Sequence, residues 1–472
     1  MKTRKIRIIV AALLLCVFGA RAQEQEYYTG CLLDDDVYES LPQKALLLTR
    51  DYTVLPPRYS LEKYCPTPRS QGFYGTCVGW STTYAARTIA EAAAYGWTER
   101  EKTDSETFSP LYVYLKIKTV NDDCESGTPI SDALNILKNE GVAKYKDFDV
   151  KCAPSIPSDV QRNVGQYKID DYSKLFDSEA SSEEKIRKTK KALSEDKPVV
   201  IGMKCFGSFN EAKDIWNGVT DFSRGGHAMC VIGYDNDKYG GSFRIMNSWG
   251  MYWGVGGFTW IKYDDYCKHV YHAYELFVRK KHGPRPGPEP GPLKNVSLAG
   301  EIRFELSMGE EMSATLSSSD GMPYYKLAGE YVSGTRYRIY VSNNEPAYVY
   351  VIGSDLTNKP NKLFPPDERI SPLLSYKSNN IAIPGEKLFM ETDDTPGKDY
   401  ICVLYSYEAL PVDEIIEKIK NAPGNFPNKV KTALADKPVP AAEIEYGQKT
   451  MRFGVKNTDK TVLPVIVEMT HK

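Results

Sequence analysis

Residues 70–81 read SQGFYGTCVGWS. A thiol, Cys77, follows small, flexible residues and opens an Ala-rich run, Val78 to Tyr95, that reads as a helix and stops at Gly96. Three roles fit such a thiol: nucleophile, half of a disulfide, or inert core residue. The first demands the most of its surroundings. A thiol attacks a carbonyl well only as thiolate, and its ordinary pKa is too high for that near neutrality. The positive end of a helix lowers it, and a histidine can take the proton. Gly75 and Thr76, just before Cys77, leave room for a substrate backbone.

Five histidines are present, and one has a suitable setting. His227, in RGGHAMCVIGYD, follows two glycines and opens an apolar strand pattern. Twenty residues on, in MNSWGMYWG, Asn247 ends another apolar strand and Trp249 follows. An amide at Asn247 can orient an imidazole, and an indole can shield that hydrogen bond from water. Gln71 offers a side-chain N–H that, with the Cys77 backbone N–H, can hold an oxyanion.

Gln71-Gly72, Gly75-Thr76-Cys77, Gly226-His227-Ala228 and Asn247-Ser248-Trp249-Gly250 together resemble the signatures of the papain-like cysteine peptidases. The order Cys, His, Asn matches, and His227 lies 150 residues after Cys77, a spacing usual for that family. The resemblance covers about residues 50 to 280 and implies a catalytic Cys77, His227 and Asn247. It also implies an oxyanion hole from Gln71 and the Cys77 N–H, and a supporting Trp249. Gly127 and Gly226 are the implied substrate-binding positions, and no cofactor or metal is needed. The sequence departs from the family at Tyr74, where a disulfide cysteine is common, at Val78, where Trp is common, and in CESGTPIS, which has the single Gly127 where Cys-x-Gly-Gly is frequent. Many members carry a long inhibitory pro-region; residues 23–54 look too short for one, leaving room for a short N-terminal clamp.

The chain has 472 residues and formal net charge −2, which predicts more than one domain and gives no reason to expect nucleic acid. Residues 1–22 read as a secretory signal: a basic start, an apolar stretch from Ile8 to Phe18, and ARA before Gln23. Leu13 to Leu15 are not the small residues that precede a lipidated cysteine, which argues against an anchor at Cys16. No other stretch is long and apolar enough to span a bilayer. Export to the periplasm, cell surface or medium is the expectation, and an oxidising compartment permits disulfides. Cys124 and Cys152, flanking a helical pattern, are the best candidate pair; Cys230 and Cys402, in strand patterns, are expected to be buried free thiols. Cys267, His269 and His272 lack a fourth zinc ligand in a segment that reads as strand, so no metal site is expected.

HGPRPGPEPGP, His282 to Pro292, reads as an extended spacer. The expected organisation is signal 1–22, N-terminal extension 23–54, papain-like domain 55–281, linker 282–292 and a β-rich domain 293–472. In the papain-like part, further helices are expected at Ile130 to Asn139 and, as a charged surface element, at Ser182 to Leu193. Strands follow in PVVIGMKCF, HAMCVIGYD, SFRIMNSWG and GGFTWIKY. A helical half before a strand half suggests two lobes and a cleft. After the linker, YRIYVSNNEPAYVYVIGSD reads as two strands with a turn at Asn343 and Asn344. NNIAIPG, KLFMETDD and KDYICVLYS read as more strands, VDEIIEKIKNA as a short helix, and Asn457 to Lys460 as the turn of a closing hairpin. Segments such as YVYVIGSD, KLFPPDERI and GKDYICVLYS resemble the bacterial domain of unknown function DUF4384, implying an accessory module with a protein or cell-envelope ligand, or a plain spacer.

The fold class expected is α+β: a two-lobed papain-like domain, with a helical lobe and a β-barrel-like lobe, followed by a β-rich accessory domain. The expected activity is hydrolysis of peptide bonds in a protein or peptide substrate. Two alternatives stand beside it. One is a transpeptidase or peptide ligase using the same nucleophile. The other is a binding protein on an inactive peptidase fold, acting through its C-terminal module.

Overall fold

The computed structural model describes residues 27–45, 54–119, 124–279, 296–319, 321–354, 359–377 and 379–472. The signal and the spacer expected at 1–22 and 282–292 lie outside these residues. The fold is α+β, a mixed unit of helices and strands joined to a second, β-rich one.

The central helix begins at Cys77. Cys77–Gly79, Trp80–Arg87 and Thr88–Tyr95 follow without a break, the middle section being π-wound, a departure often found beside functional sites. Gly96 closes it at φ 72°, a left-handed cap that suits glycine. Gly79 costs helix propensity but permits close packing. A Cβ there would sit 2.4 Å from the Pro110 carbonyl oxygen, on the helix Pro110–Ile117. Every residue from Cys77 to Ala92 is buried, because strands pack on one side and helices Pro110–Ile117 and Ile130–Asn139 on the other.

The strands of this unit form a long sheet. Val199–Phe206 pairs with Ser223–Asp235, which pairs with Ser242–Met246, followed by Phe258–Lys262, all antiparallel. Val270–Phe277 flanks Val199–Phe206 on the other side, and Asp171–Lys174 lies beyond it. The charged helix Ser182–Ser194 is less superficial than its composition suggests. Lys185 and Lys188 are buried along their stems, and Lys185 donates to the Val270 carbonyl. The segment holding Cys267, His269 and His272, expected as strand, is divided: Tyr263–His269 is a short helix leading into the strand Val270–Phe277. Cys124 and Cys152 form a disulfide. The other described cysteines are free, and Cys230 and Cys402 are buried as expected.

The β-rich part is a sandwich. Asn379–Ile383, Arg336–Asn343, Val296–Leu306, Met451–Thr458 and Glu445–Tyr446 line up in one sheet. The other runs Ala314–Ser319, Met322–Tyr331, Val462–His471, Gly397–Ser406, Ala347–Ser354 and Asn361–Phe364. Val349, Val351, Val403 and Tyr405 face the core between the sheets. Their neighbours Tyr348, Tyr350, Cys402 and Leu404 face helices Val412–Asn421 and Phe426–Leu434, which cover the outer side. A strand buried on both faces reads as continuously apolar, as YVYVIGSD does. The hairpin expected at Asn457 to Lys460 is not one. Met451–Thr458 and Val462–His471 join opposite sheets, because Met451, Phe453, Val455 and Leu463, Val465, Val467 fill the same core from its two sides. The turn at Asn343 crosses in the same way, and the buried Asn343 amide braces it by donating to the carbonyls of Leu374 and Tyr376 at 3.1 and 2.8 Å.

Candidate active site

Cys77 is the first residue of the central helix, so its sulfur sits where backbone N–H groups are unspent. N–H groups of Val78, of Cys77 itself and of Ala228 bear on the sulfur. The last adjoins His227 and brings the strand Ser223–Asp235 against the helix start. His227 lies within that strand, four residues past its first position, rather than at its entrance.

The second half of the site follows from two hydrogen bonds. Asn247 Oδ1 lies 2.8 Å from the Ser248 backbone N–H and 2.8 Å from His227 Nε2. A backbone N–H can only donate, so the Asn247 atom is the oxygen, and Nε2 must carry the proton it shares. His227 Nδ1 is therefore the ring's lone-pair nitrogen; it is buried without a protein partner. The Trp249 ring stacks on the imidazole at 4.7 Å, and both are almost fully buried. Gln71 is held by Ser248: its carbonyl accepts from the Ser248 hydroxyl at 2.6 Å, and its backbone N–H donates to the Ser248 carbonyl at 2.8 Å. One Gln71 side-chain N–H goes to the Tyr74 carbonyl at 2.8 Å, which leaves the other to point elsewhere. His227, Asn247, Ser248, Gln71 and Trp249 thus form one buried, connected group, and Cys77 is buried beside it, against the N–H of Ala228, the residue after His227. The Ser248 hydroxyl was not singled out in the sequence; its place between Asn247 and Trp249 was the available signal.

The N-terminal segment covers this group. Tyr27 stacks on Trp249 at 4.7 Å, and the Tyr28 carbonyl accepts the Trp249 indole N–H at 2.9 Å. Gly30 N–H donates to the Gly226 carbonyl at 3.2 Å, and the Gly30 carbonyl accepts from Thr128 N–H at 2.9 Å. Cys31 pairs with Gly226 on one side and Thr128 on the other. Glycine is required at these contacts. A Cβ on Gly30 would lie 2.4 Å from the Gly75 carbonyl oxygen, one on Gly127 2.8 Å from that of Gly30, and one on Gly226 2.2 Å from that of Cys31. Gly127 and Gly226 therefore present backbone to an extended chain, and that chain is residues 27–33. The stretch judged too short for a covering pro-region needs only those seven residues, because an extended chain advances about 3.3 Å per residue.

Burial sets the electrostatics. Burial pushes the Cys77 thiol up to about 12, against the pull of the backbone N–H groups. Burial also presses His227 down to about 4, against its bond to Asn247. In this state both groups are neutral at ordinary pH. Of the residues weighed for zinc, Cys267 and His269 lie on the short helix, and His272 Nε2 is 2.8 Å from Asp35 Oδ1.

Residues 63–275 match the model of the papain family of cysteine proteases. Over those residues the chain carries a papain-family cysteine peptidase domain, which makes it a hydrolase by class. An uncharacterised peptidase C1-like protein of Acanthamoeba polyphaga mimivirus is 26% identical over 225 residues, spanning 42% of this chain and 67% of that protein. The cysteine proteinase RD21A of Arabidopsis thaliana is 25% identical over 238 residues, spanning 48% of this chain and 47% of its own. The chain thus spans about half the length of the plant relative. Among solved structures, xylellain, a cysteine protease of Xylella fastidiosa, aligns over 54% of this chain and 97% of its own at 21% identity and TM-score 0.44. Among the described residues, no helix is long and apolar enough to cross a membrane.

Proposed function

We propose that this is an exported cysteine peptidase, held latent by its N-terminal segment, that hydrolyses peptide bonds through Cys77. When the segment leaves the cleft, water and substrate enter, and the burial that keeps both groups neutral is relieved. His227 Nδ1 takes the Cys77 proton and the thiolate attacks the peptide carbonyl. The free Gln71 N–H and the Cys77 backbone N–H hold the oxyanion. The imidazolium returns its proton to the leaving amine, and a water activated by His227 hydrolyses the thioester. Asn247 holds the ring in the tautomer that leaves Nδ1 basic, and Trp249 keeps water from that bond. Substrate backbone takes the places of Gly30 and Cys31 against Gly127, Thr128 and Gly226.

The observation that carries the reading is the shared acceptor at Asn247, which fixes the proton on Nε2 beside a buried thiol at a helix start. It is tested by labelling with an epoxide probe for cysteine peptidases and peptide mapping. Gly30→Leu, whose side chain cannot fit against Gly75, displaces the covering segment; this variant should be labelled at Cys77 and should cleave peptides, and adding His227→Ala should end both. Absence of labelling in Gly30→Leu, or labelling elsewhere, overturns the reading. Aminolysis products exceeding hydrolysis when amines are added would favour the ligase alternative.

A further inference from the structure

The N-terminal segment is tied down at both ends. After residues 27–33 in the cleft, the helix Asp35–Ser40 packs on Val270–Phe277, with Tyr38 buried and its ring stacked on His272 at 4.2 Å. The chain then reaches Gln43–Lys44, a two-residue strand with a neighbour on each side. Gln43 pairs in parallel with Lys174 of the peptidase part, and Gln43–Lys44 pairs in parallel with Ile370–Ser371 of the β-rich part. Gln43 N–H donates to the Arg369 carbonyl at 2.7 Å.

Lys44 is 3% exposed. Its ammonium meets Glu275, from the last peptidase strand, and the Ser375 hydroxyl, and lies 3.6 Å from the centre of the Tyr376 ring. The Tyr376 hydroxyl donates to the other Glu275 oxygen. A charge taken out of water is tolerated only where a counter-charge and its remaining hydrogen-bond partners surround it. Here those partners come from two separate segments, Glu275 in the peptidase part and Ser375 and Tyr376 in the β-rich part, which supplies the lid. Without Ser375 and Tyr376, Lys44 gains by returning to water and pulls residues 43–44 with it. A tethered segment rebinds its cleft at the effective concentration its tether allows. Freeing residues 43–44 lowers that concentration for residues 27–33.

We propose that the β-rich C-terminal domain is the clamp that retains the covering segment: by closing over Gln43 and Lys44 it keeps residues 27–33 in the cleft, and the site opens when that grip is released. This rests on the peptidase reading above. The test uses the full chain and two variants, Tyr376→Ala, which removes the lid, and Gln43→Pro, which deletes the donor to Arg369 together with the side-chain donor to the Leu175 carbonyl and leaves Glu275 and the C-terminal domain untouched. The readouts are hydrogen exchange at 28–33 and at the Lys44 amide, which every variant keeps, and the rate of epoxide labelling at Cys77, with exchange in the strand Val462–His471 reporting integrity. Exchange should rise at both sites, and labelling should speed up about tenfold, the size expected for a lost cation–π contact and hydrogen bond. Should Tyr376→Ala unfold, Ser375→Ala, which removes a Lys44 partner from the C-terminal part and leaves Gln43 in place, decides in its stead. Faster exchange at Lys44 with an unchanged labelling rate overturns the clamp, provided Gly30→Leu is labelled. If Gly30→Leu is not labelled either, the peptidase reading itself has failed.

Discussion

Replacing Asn247 by Ala removes one oxygen that serves two buried donors, His227 Nε2–H and Ser248 N–H, each at 2.8 Å. In the resting state the loss leaves two N–H groups unpaired. In the reaction it matters more, because His227 becomes an imidazolium and the bond to Asn247 becomes charge-assisted. Such a bond contributes about 1.5–3 kcal/mol, which converts to a fall of roughly 10–150-fold in kcat/KM. The assay is peptide hydrolysis and epoxide labelling in the Gly30→Leu background, where the cleft is open. Asn247→Asp keeps an acceptor in place and should recover most of the loss. An Ala variant within about twofold of its parent, correctly folded, would refute the orienting role and the tautomer argument with it.

Cys77→Ala should abolish hydrolysis and leave the thermal midpoint nearly unchanged, since a buried sulfur is exchanged for a slightly smaller apolar group; calorimetry beside a peptide assay checks both. Breaking the Cys124–Cys152 bridge, which spans 28 residues, should cost about 3–4 kcal/mol of stability, read from urea midpoints of Cys152→Ser. Gly79→Ala should cost about 1–3 kcal/mol, because its methyl meets the Pro110 carbonyl rather than a yielding side chain. Burial lowers His227 from 6.5 to about 4, so below 6.5 the unfolded chain takes up a proton that the folded ring refuses. Stability from this group is full above that pH and falls by roughly 2–3 kcal/mol on acidification to about pH 4.5. His227→Gln should lose correspondingly less on the same acidification, and equal losses would refute the assignment.

What was legible in the sequence was local. The helix after Cys77 announces itself by its alanines and its stop at Gly96, and the strands around His227 and Asn247 by their apolar alternation. What was not legible depended on partners distant in the chain. YYTGCLL, residues 27–33, has no period of its own; it is extended because Gly127, Thr128 and Gly226 offer their backbones to it. The turns at Asn343 and Asn457 carry the same signals in a hairpin as in a crossing between sheets, and the shared core of the sandwich decides between them. The segment holding Cys267, His269 and His272 reads as strand, yet Cys267 and His269 end a helix of about two turns, Tyr263–His269, and the strand begins at Val270. The Ser248 hydroxyl was hidden for a different reason: its task is to hold another side chain.

The pairing of Ile370–Ser371 with Gln43–Lys44 bears on how this protein can be taken apart. The Pro/Gly stretch at 282–292 invites a cut, but the covalent seam and the physical seam do not coincide. A fragment ending there would keep Glu275 and Lys44 without their cover and would leave Gln43–Lys44 as a bare sheet edge, the kind of surface on which chains aggregate. Phe277, packed among the side chains of the β-rich part, would be stripped as well. The two halves are thus better regarded as one cooperative body, and a truncated peptidase that proves insoluble or unregulated would report on the missing seam rather than on its active site.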